Sequence, residues 1–206
     1  MTKIKICGLR RDEDVEMVNA CKPNYIGFVF AKKSKRYITP EMALELVAKL
    51  SPKIKVVGVF VNEEPEIVGD LLTKGIIGIA QLHGQEDEGY IASLRQFTNK
   101  PIWKAFRIDT DDDIQKAIHS SADCILLDNG GGGTGTAFDW QLASAVNRPY
   151  FLAGGLGASN VANALGQISP YGVDVSSNVE TNGVKDSLKV KAFIDAVRNM
   201  KEDSHG

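Results

Sequence analysis

The stretch KVVGVFVNEEPEIVGDLLTKGIIGIAQLH (55–83) opens on a continuous apolar run over 55–61. It passes through Ile67, Val68, Leu71 and Leu72 at helical spacing and closes on a second apolar run over 76–83. Apolar runs without alternation suit parallel strands covered on both faces, and a helix between two of them makes a βαβ unit. The rhythm continues outward in both directions. Further apolar runs are KIKIC (3–7), YIGFVF (25–30), PIWKAF (101–106), DCILLD (123–128), YFLAGG (150–155) and YGVDVSS (171–177). Helical patterns separate them. Thr39 followed by Pro40 reads as a cap with proline at the first helical position, and Ala43, Leu46, Val47 and Leu50 then share one face. Val190, Phe193, Ile194 and Val197 repeat that spacing. Tyr90, Ile91, Leu94 and Phe97 mark another helix, and Ile114, Ala117 and Ile118 a further one. Val15 with Val18, Leu142 with Val146, and Val161 with Leu165 suggest the remaining three.

Strand and helix thus alternate about eight times in units of roughly 20–30 residues, the size of βα pairs. Right-handed crossovers give a parallel sheet, and eight such units close into a single (β/α)8 TIM barrel of eight parallel strands. A doubly wound open sheet is the competing architecture; eight near-equal units and no Gly-x-Gly-x-x-Gly after the first strand favour the barrel. No Pro-, Ser- or charge-rich linker divides the chain, so one catalytic domain is expected over 1–200, followed by a polar tail over 201–206.

Composition narrows the function. The 206 residues carry 43% hydrophobic and 24% charged residues and a formal net charge of −2. No broad basic surface exists to displace counterions, which argues against nucleic acid as a partner. No run approaches the length of a membrane span, and MTKIKICG lacks the apolar stretch of a signal peptide. Cys7, Cys21 and Cys124 form no CxxC pair, so neither a disulfide framework nor a zinc site is expected, and a reducing cytoplasm is the expected location. Monomer and homodimer are both compatible with the scaffold.

In such barrels the reacting groups stand at the C-terminal ends of strands and in the loops that follow. Those positions hold Cys7-Gly8, Ser34-Lys35-Arg36, His83-Gly84, Arg107, Asp128, Gly154-Gly155 and Asp174 to Asn178. Gly154, Gly155, Ser176, Ser177 and Asn178 lie after the seventh and eighth strands, the usual phosphate position in this fold. Converging backbone amides there can hold an anion, and Asp186-Ser187 could begin a short extra helix that helps. A tight turn is the plainer reading of the two glycines. Gly130 to Gly135 reads as a lid or as a surface loop.

Cys7 is an inert small hydrophobe or a reactive thiol. Lys5 shares its strand parity, so both side chains point into the barrel, and a nearby ammonium lowers a thiol pKa that is otherwise about 8.5. Cys21 and Cys124 read as inert. Asp128 follows CILL; partial desolvation raises a carboxyl pKa and suits a general acid, although a capping aspartate fits too. Arg36 can grip a carboxylate in a bidentate way or simply belong to a solvated basic loop. His83 reads as a substrate donor or a satisfied structural histidine, more than as a proton shuttle.

Taken in order, KICGLR (5–10), YIGFVF with SKRYI (34–38), VGVFVN (57–62), QLHG (81–84), LLDN (126–129) with GGTG (132–135) and FDW (138–140), LAGGL (152–156), and DVSSNVE (174–180) with GVKD (183–186) make a sequence that resembles the phosphoribosylanthranilate isomerase family over nearly the whole chain. The resemblance implies an Amadori rearrangement of N-(5-phosphoribosyl)anthranilate to 1-(o-carboxyphenylamino)-1-deoxyribulose 5-phosphate in tryptophan biosynthesis, with no metal or organic cofactor. It implies Cys7 as base, Asp128 as acid, Arg36 as ligand of the anthranilate carboxylate, and Gly154–Gly155 with Ser176–Asn178 as phosphate loops. Asn178 stands where the family pattern has a smaller residue; asparagine tolerates left-handed backbone, so the loop is expected to survive. Asn182 stands where proline is frequent, which bears on loop rigidity.

Three rivals remain. The histidine-pathway isomerase of the same chemistry is similar in using two aspartates, one of them at the first strand end, where this chain has Cys7. Indole-3-glycerol-phosphate synthase needs a lysine pair and an extra N-terminal segment, whereas this chain starts directly at the first strand. A non-catalytic phosphometabolite-binding barrel would keep the phosphate loops without needing Cys7 or Asp128.

Overall fold

A computed structural model describes residues 1–128 and 140–200. The Gly130–Gly135 segment and the 201–206 tail lie outside the described residues. The chain runs β1 (Lys3–Cys7), α1 (Asp12–Cys21), β2 (Tyr25–Val29), α2 (Pro40–Val47), β3 (Lys55–Phe60), α3 (Pro65–Thr73), β4 (Ile79–Leu82), α4 (Glu88–Leu94), β5 (Ile102–Arg107), α5 (Asp111–His119) and β6 (Cys124–Asp128). A 3-10 helix (Trp140–Ala145) follows, then β7 (Tyr150–Ala153), α6 (Val161–Gln167) and β8 (Gly172–Val175). A second 3-10 helix (Ser177–Val179), the short strands β9 (Glu180–Thr181) and β10 (Val184–Lys185), and α7 (Ser187–Asn199) complete it.

Strands β1 to β8 pair in chain order, all parallel, and β8 returns to β1 to close the barrel. This is the (β/α)8 TIM barrel that the apolar runs predict. Among the described residues no helix is long and apolar enough to cross a membrane.

Local chemistry starts the helices where the sequence marks them. The Thr39 hydroxyl accepts from the Met42 amide at 3.3 Å ahead of Pro40. Thr110 and Asp113 close a reciprocal capping box at the start of α5. Two expectations need correction. The helix expected around Leu142 and Val146 is a 3-10 helix, packed between α5 and α6 in the place of an eighth α-helix. Pro149 follows closely; it disfavours α geometry at Arg148 and stops any extension. Asp186 and Ser187 do not begin a short extra helix: Asp186 caps α7 itself, and the short helix after β8 is Ser177–Val179.

The β9–β10 hairpin turns through Asn182 and Gly183, both at positive φ (53° and 76°), the pairing that two-residue hairpins favour. Asn182 therefore fits a left-handed turn position that proline, locked at negative φ, could not take.

The core has two compartments. One lies between the strands and the helices and includes Ile4, Ile26, Phe60, Leu72 and Phe193. The other fills the lower half of the barrel, where Tyr25, Trp103 and Phe151 pack with ring centroids 4.7–5.5 Å apart. This aromatic layer closes the barrel from below, so any cavity must open at the C-terminal ends of the strands. Gly172 makes room for it, since a Cβ there would meet Phe151 Cε1 at 2.3 Å. Gly172→Ala is expected to destabilise the fold by about 1–3 kcal/mol through overpacking, measured as a lower urea midpoint with an unchanged m-value. An unchanged midpoint would show that the ring has space to yield.

Candidate active site

Above the aromatic layer lies a cavity of about 850 Å³ at the C-terminal ends of the strands. It brings together Cys7, Arg36, His83 and Asp128 with Gly154, Gly155, Ser176 and Ser177. Asn178, the remaining residue singled out from sequence, does not line it. Its side chain instead donates through Nδ2 to the Gly155 carbonyl at 2.7 Å and ties the β8 loop to the β7 loop. Asn178 is not left-handed either, so its tolerance comes from this bond rather than from backbone geometry.

Cys7 stands at the end of β1, buried, with Lys5 below it on the same inward face. Lys5 is wholly buried and its Nζ donates to Asp174 Oδ2 at 2.9 Å. Burial disfavours both charges; Asp174, helped by Cys7, nonetheless holds the Lys5 ammonium above its ordinary pKa, while at Asp174 burial outweighs the pull of Lys5 and raises the carboxyl. Lys5 and Lys185 both favour the thiolate of Cys7. Desolvation is the larger effect, however, and Asp174 adds to it, so the thiol pKa is raised. The sequence reading of Lys5 has the right sign; burial outweighs it. Cys124, in the lower half of the same barrel, is pushed by burial to about 11 and faces Pro149 and Ile125 carbonyls, as an inert thiol should.

On the other side of the cavity, Asp128 ends β6, three strands from β1 around the ring. His83 Nε2 lies 3.2 Å from Asp128 Oδ2, and His83 Nδ1 lies 2.9 Å from Gln81 Nε2. An amide nitrogen only donates, so Nδ1 accepts and Nε2 carries the hydrogen that it gives to Asp128. Both ring nitrogens of His83, read from the sequence as a substrate donor or a satisfied structural histidine, are thus engaged with protein, and the imidazole faces the carboxyl.

Arg36 reaches the cavity over Gly8, whose φ of +86° and missing Cβ give it passage; a Cβ would meet Arg36 Cδ at 2.4 Å. Its Nε and Nη2 donate to Glu180 Oε1 and Oε2 at 2.6 and 2.8 Å. Glu180 also accepts from Lys185 Nζ at 2.7 Å, and these two cations hold its carboxyl down at about 2 although burial opposes them. The guanidinium is therefore fixed by a carboxylate of this chain along one edge, with Nη1 on the other. Lys185 also donates to the Ser176 carbonyl at 2.9 Å, and Ser176 Oγ to the Cys7 carbonyl at 3.1 Å, so the β1 and β8 loops are bound together. Gly154 and Gly155 take φ of +79° and +66°, which turns the β7 loop across the cavity mouth.

Gln81, Glu180 and Lys185 escaped the sequence reading as site residues, and Asp174, placed at a strand end, was given no role. A signal existed for Gln81 and Asp174. Each is a polar residue in an apolar strand, IAQL and GVDV, with the parity of His83 and Ser176. Glu180 and Lys185 lie on a hairpin with no such pattern.

A closed parallel barrel with a cysteine and an aspartate lining one cavity, and positive-φ glycine loops beside them, defines a (β/α)8 barrel with its candidate site at the C-terminal ends of the strands. The model of the N-(5'phosphoribosyl)anthranilate (PRA) isomerase family matches residues 4–196. An N-(5'-phosphoribosyl)anthranilate isomerase of Thermoanaerobacter sp. (strain X514) is 45% identical over 207 residues, covering 98% of this chain and 100% of the relative. The crystal structure of phosphoribosyl anthranilate isomerase from Thermotoga maritima superposes with a TM-score of 0.88 at 36% identity, covering 97% of this chain and all of that one. A phosphoribosyl anthranilate isomerase crystallised with reduced 1-(o-carboxyphenylamino)-1-deoxyribulose 5-phosphate gives 0.86 at 35% identity, with the same coverage. The chain belongs to the N-(5'-phosphoribosyl)anthranilate isomerase family.

The electrostatics of Cys7 can be read directly. Lys5→Met removes the charge that offsets burial, so the pH midpoint of Cys7 alkylation by iodoacetamide is expected to move upward. The Cys7→Ser protein supplies the background from Cys21 and Cys124. A midpoint that stays or falls would remove Lys5 from the control of the thiol.

Proposed function

We propose that this protein isomerises N-(5-phosphoribosyl)anthranilate to 1-(o-carboxyphenylamino)-1-deoxyribulose 5-phosphate, with Asp128 as general acid and Cys7 as general base, in one barrel domain over residues 1–200. The observation that carries the roles is that a thiol and a carboxyl line one cavity from strands on different sides of its mouth. Asp128 protonates the furanose ring oxygen and the C1′–O bond opens, leaving a protonated Schiff base. That cation acidifies the hydrogen at C2′. Cys7 as thiolate takes it, and the electron pair neutralises the iminium as an enolamine, which tautomerises to the ketone. Substrate and product are isomers, so the sequence balances by proton transfer alone.

The electrostatics of Cys7 fit this order. Burial holds the free enzyme's thiol above its ordinary range. A substrate cation beside it adds to Lys5 and Lys185 and favours the thiolate where the base is needed. Arg36, oriented by Glu180, is assigned the anthranilate carboxylate, since a guanidinium can share its two edges between two carboxylates. The loops at Gly154–Gly155 and Ser176–Ser177 are assigned the phosphate, with oriented amides supplying the attraction in a chain of net negative charge. Anchors at both ends hold the sugar between acid and base.

Turnover of freshly made substrate is followed by the loss of its anthranilate fluorescence. Cys7→Ser and Asp128→Asn are each expected to lower kcat by about 100-fold or more with substrate still bound; wild-type rates in both would overturn the roles. Arg36→Ala is expected to raise KM by about 10–100-fold, the loss of a charge-assisted hydrogen bond, with a smaller effect on kcat. An unchanged KM would take Arg36 out of carboxylate binding.

A further inference from the structure

Among the described residues, two oxygen atoms in the barrel are buried without a hydrogen-bond donor: Gln81 Oε1 and Asp174 Oδ1. Gln81 is 1% exposed and Asp174 8%. Both residues line the cavity. Each uses its other polar atom on protein. Gln81 Nε2 donates to His83 Nδ1 at 2.9 Å, and Asp174 Oδ2 accepts from Lys5 at 2.9 Å. Both side chains are therefore fixed, and the leftover oxygen of each faces a single way. A buried acceptor without a donor is costly, and native proteins seldom tolerate one unless a ligand or water completes it. Two in one cavity point to a ligand bearing donors.

Their placement narrows the ligand. Gln81 is on β4 and Asp174 on β8, diametrically opposite in the ring, while Cys7 and Asp128 stand on β1 and β6. The aromatic layer closes the barrel beneath them. Whatever lies between base and acid therefore lies between these two acceptors. A phosphate dianion and a carboxylate offer only acceptors, so neither end of the proposed substrate can complete Gln81 and Asp174. The donors left are the sugar hydroxyls and the single N–H beside the ring, which the ortho carboxylate of the substrate itself can engage, so the hydroxyls are the free ones. We propose that Gln81 Oε1 and Asp174 Oδ1 accept hydrogen bonds from hydroxyl groups of the bound pentose, which makes these two residues determinants of selectivity for a hydroxylated over a deoxygenated sugar chain.

This rests on the substrate assigned above, and its test separates the two. The probe is reduced 1-(o-carboxyphenylamino)-1-deoxyribulose 5-phosphate, titrated by its anthranilate fluorescence, beside counterparts lacking one chain hydroxyl at C2′, C3′ or C4′. If the wild-type protein fails to bind the fully hydroxylated probe, the substrate assignment falls. If it binds, the selectivity is read from the deoxy series. The wild-type protein is expected to bind at least one deoxy probe about tenfold more weakly on account of Gln81, and another by up to about a hundredfold on account of the charged Asp174. Gln81→Met should bring its ratio close to one. Because Asp174 also neutralises Lys5, its arm uses the double variant Lys5→Met/Asp174→Leu, with the same expectation for the second ratio. A variant that merely loosens the fold weakens all probes alike and leaves the ratios standing. Each residue stands or falls with its own arm: a ratio unchanged by its substitution means that its oxygen is met by water, and a wild-type protein indifferent to every hydroxyl overturns both. Gln81→Met alone suffices to decide the amide if the double variant does not fold.

Discussion

At the centre of the barrel the ammonium of Lys5 meets the carboxylate of Asp174 at 2.9 Å, with almost no access to water. Neither charge would survive there alone. Breaking such a pair by removing one partner leaves a buried uncompensated charge, at a cost of about 3–5 kcal/mol. The pair joins β1 to β8, the seam where the sheet closes on itself. It also sits directly under Cys7, so the bond that secures the seam sets the field in which the thiol titrates. One ion pair thus bridges the closing strands and sets the electrostatics of Cys7.

The remaining polar machinery is organised by a second carboxylate. Glu180 draws Arg36 from the β2 loop and Lys185 from the hairpin onto one point, and Lys185 passes that order to Ser176 and the β8 loop. A chain of net charge −2 cannot attract a substrate with two anionic ends by its overall field. It holds a few cations in fixed positions instead, Arg36 and Lys185 partly neutralised by Glu180 and Lys5 by Asp174. That arrangement limits the desolvation cost of the cations and leaves directed edges for a ligand.

His83 and Gln81 play the matching part on the opposite wall. The amide fixes the imidazole tautomer and the imidazole faces Asp128, so the orientation of the carboxyl is decided two residues away in the fold. Glu86 does comparable work behind the wall, accepting from the Asn62 and Gly84 amides at 2.6 and 2.7 Å and from Lys104 at 3.3 Å, which sets the loops after β3 and β4.

The sequence by itself determined the barrel, because eight apolar runs alternating with amphipathic helices are local patterns with one good way to bury both strand faces. It also marked Cys7, Arg36, His83 and Asp128, since strand ends are readable along the chain and the fold puts chemistry there. The spacing of Leu142 and Val146 suggested a helix, but the segment is a 3-10 helix, because the stop imposed beside Pro149 is stronger than that short pattern. Only the tertiary structure decided what those residues face. That Arg36 meets Glu180, 144 residues away along the chain, or that Lys5 meets Asp174, 169 away, follows from closure of the ring and not from any local pattern. The same holds for the thiol of Cys7: the neighbouring lysine is legible in KIKIC, but the depth of burial that outweighs it exists only once the eight strands have closed.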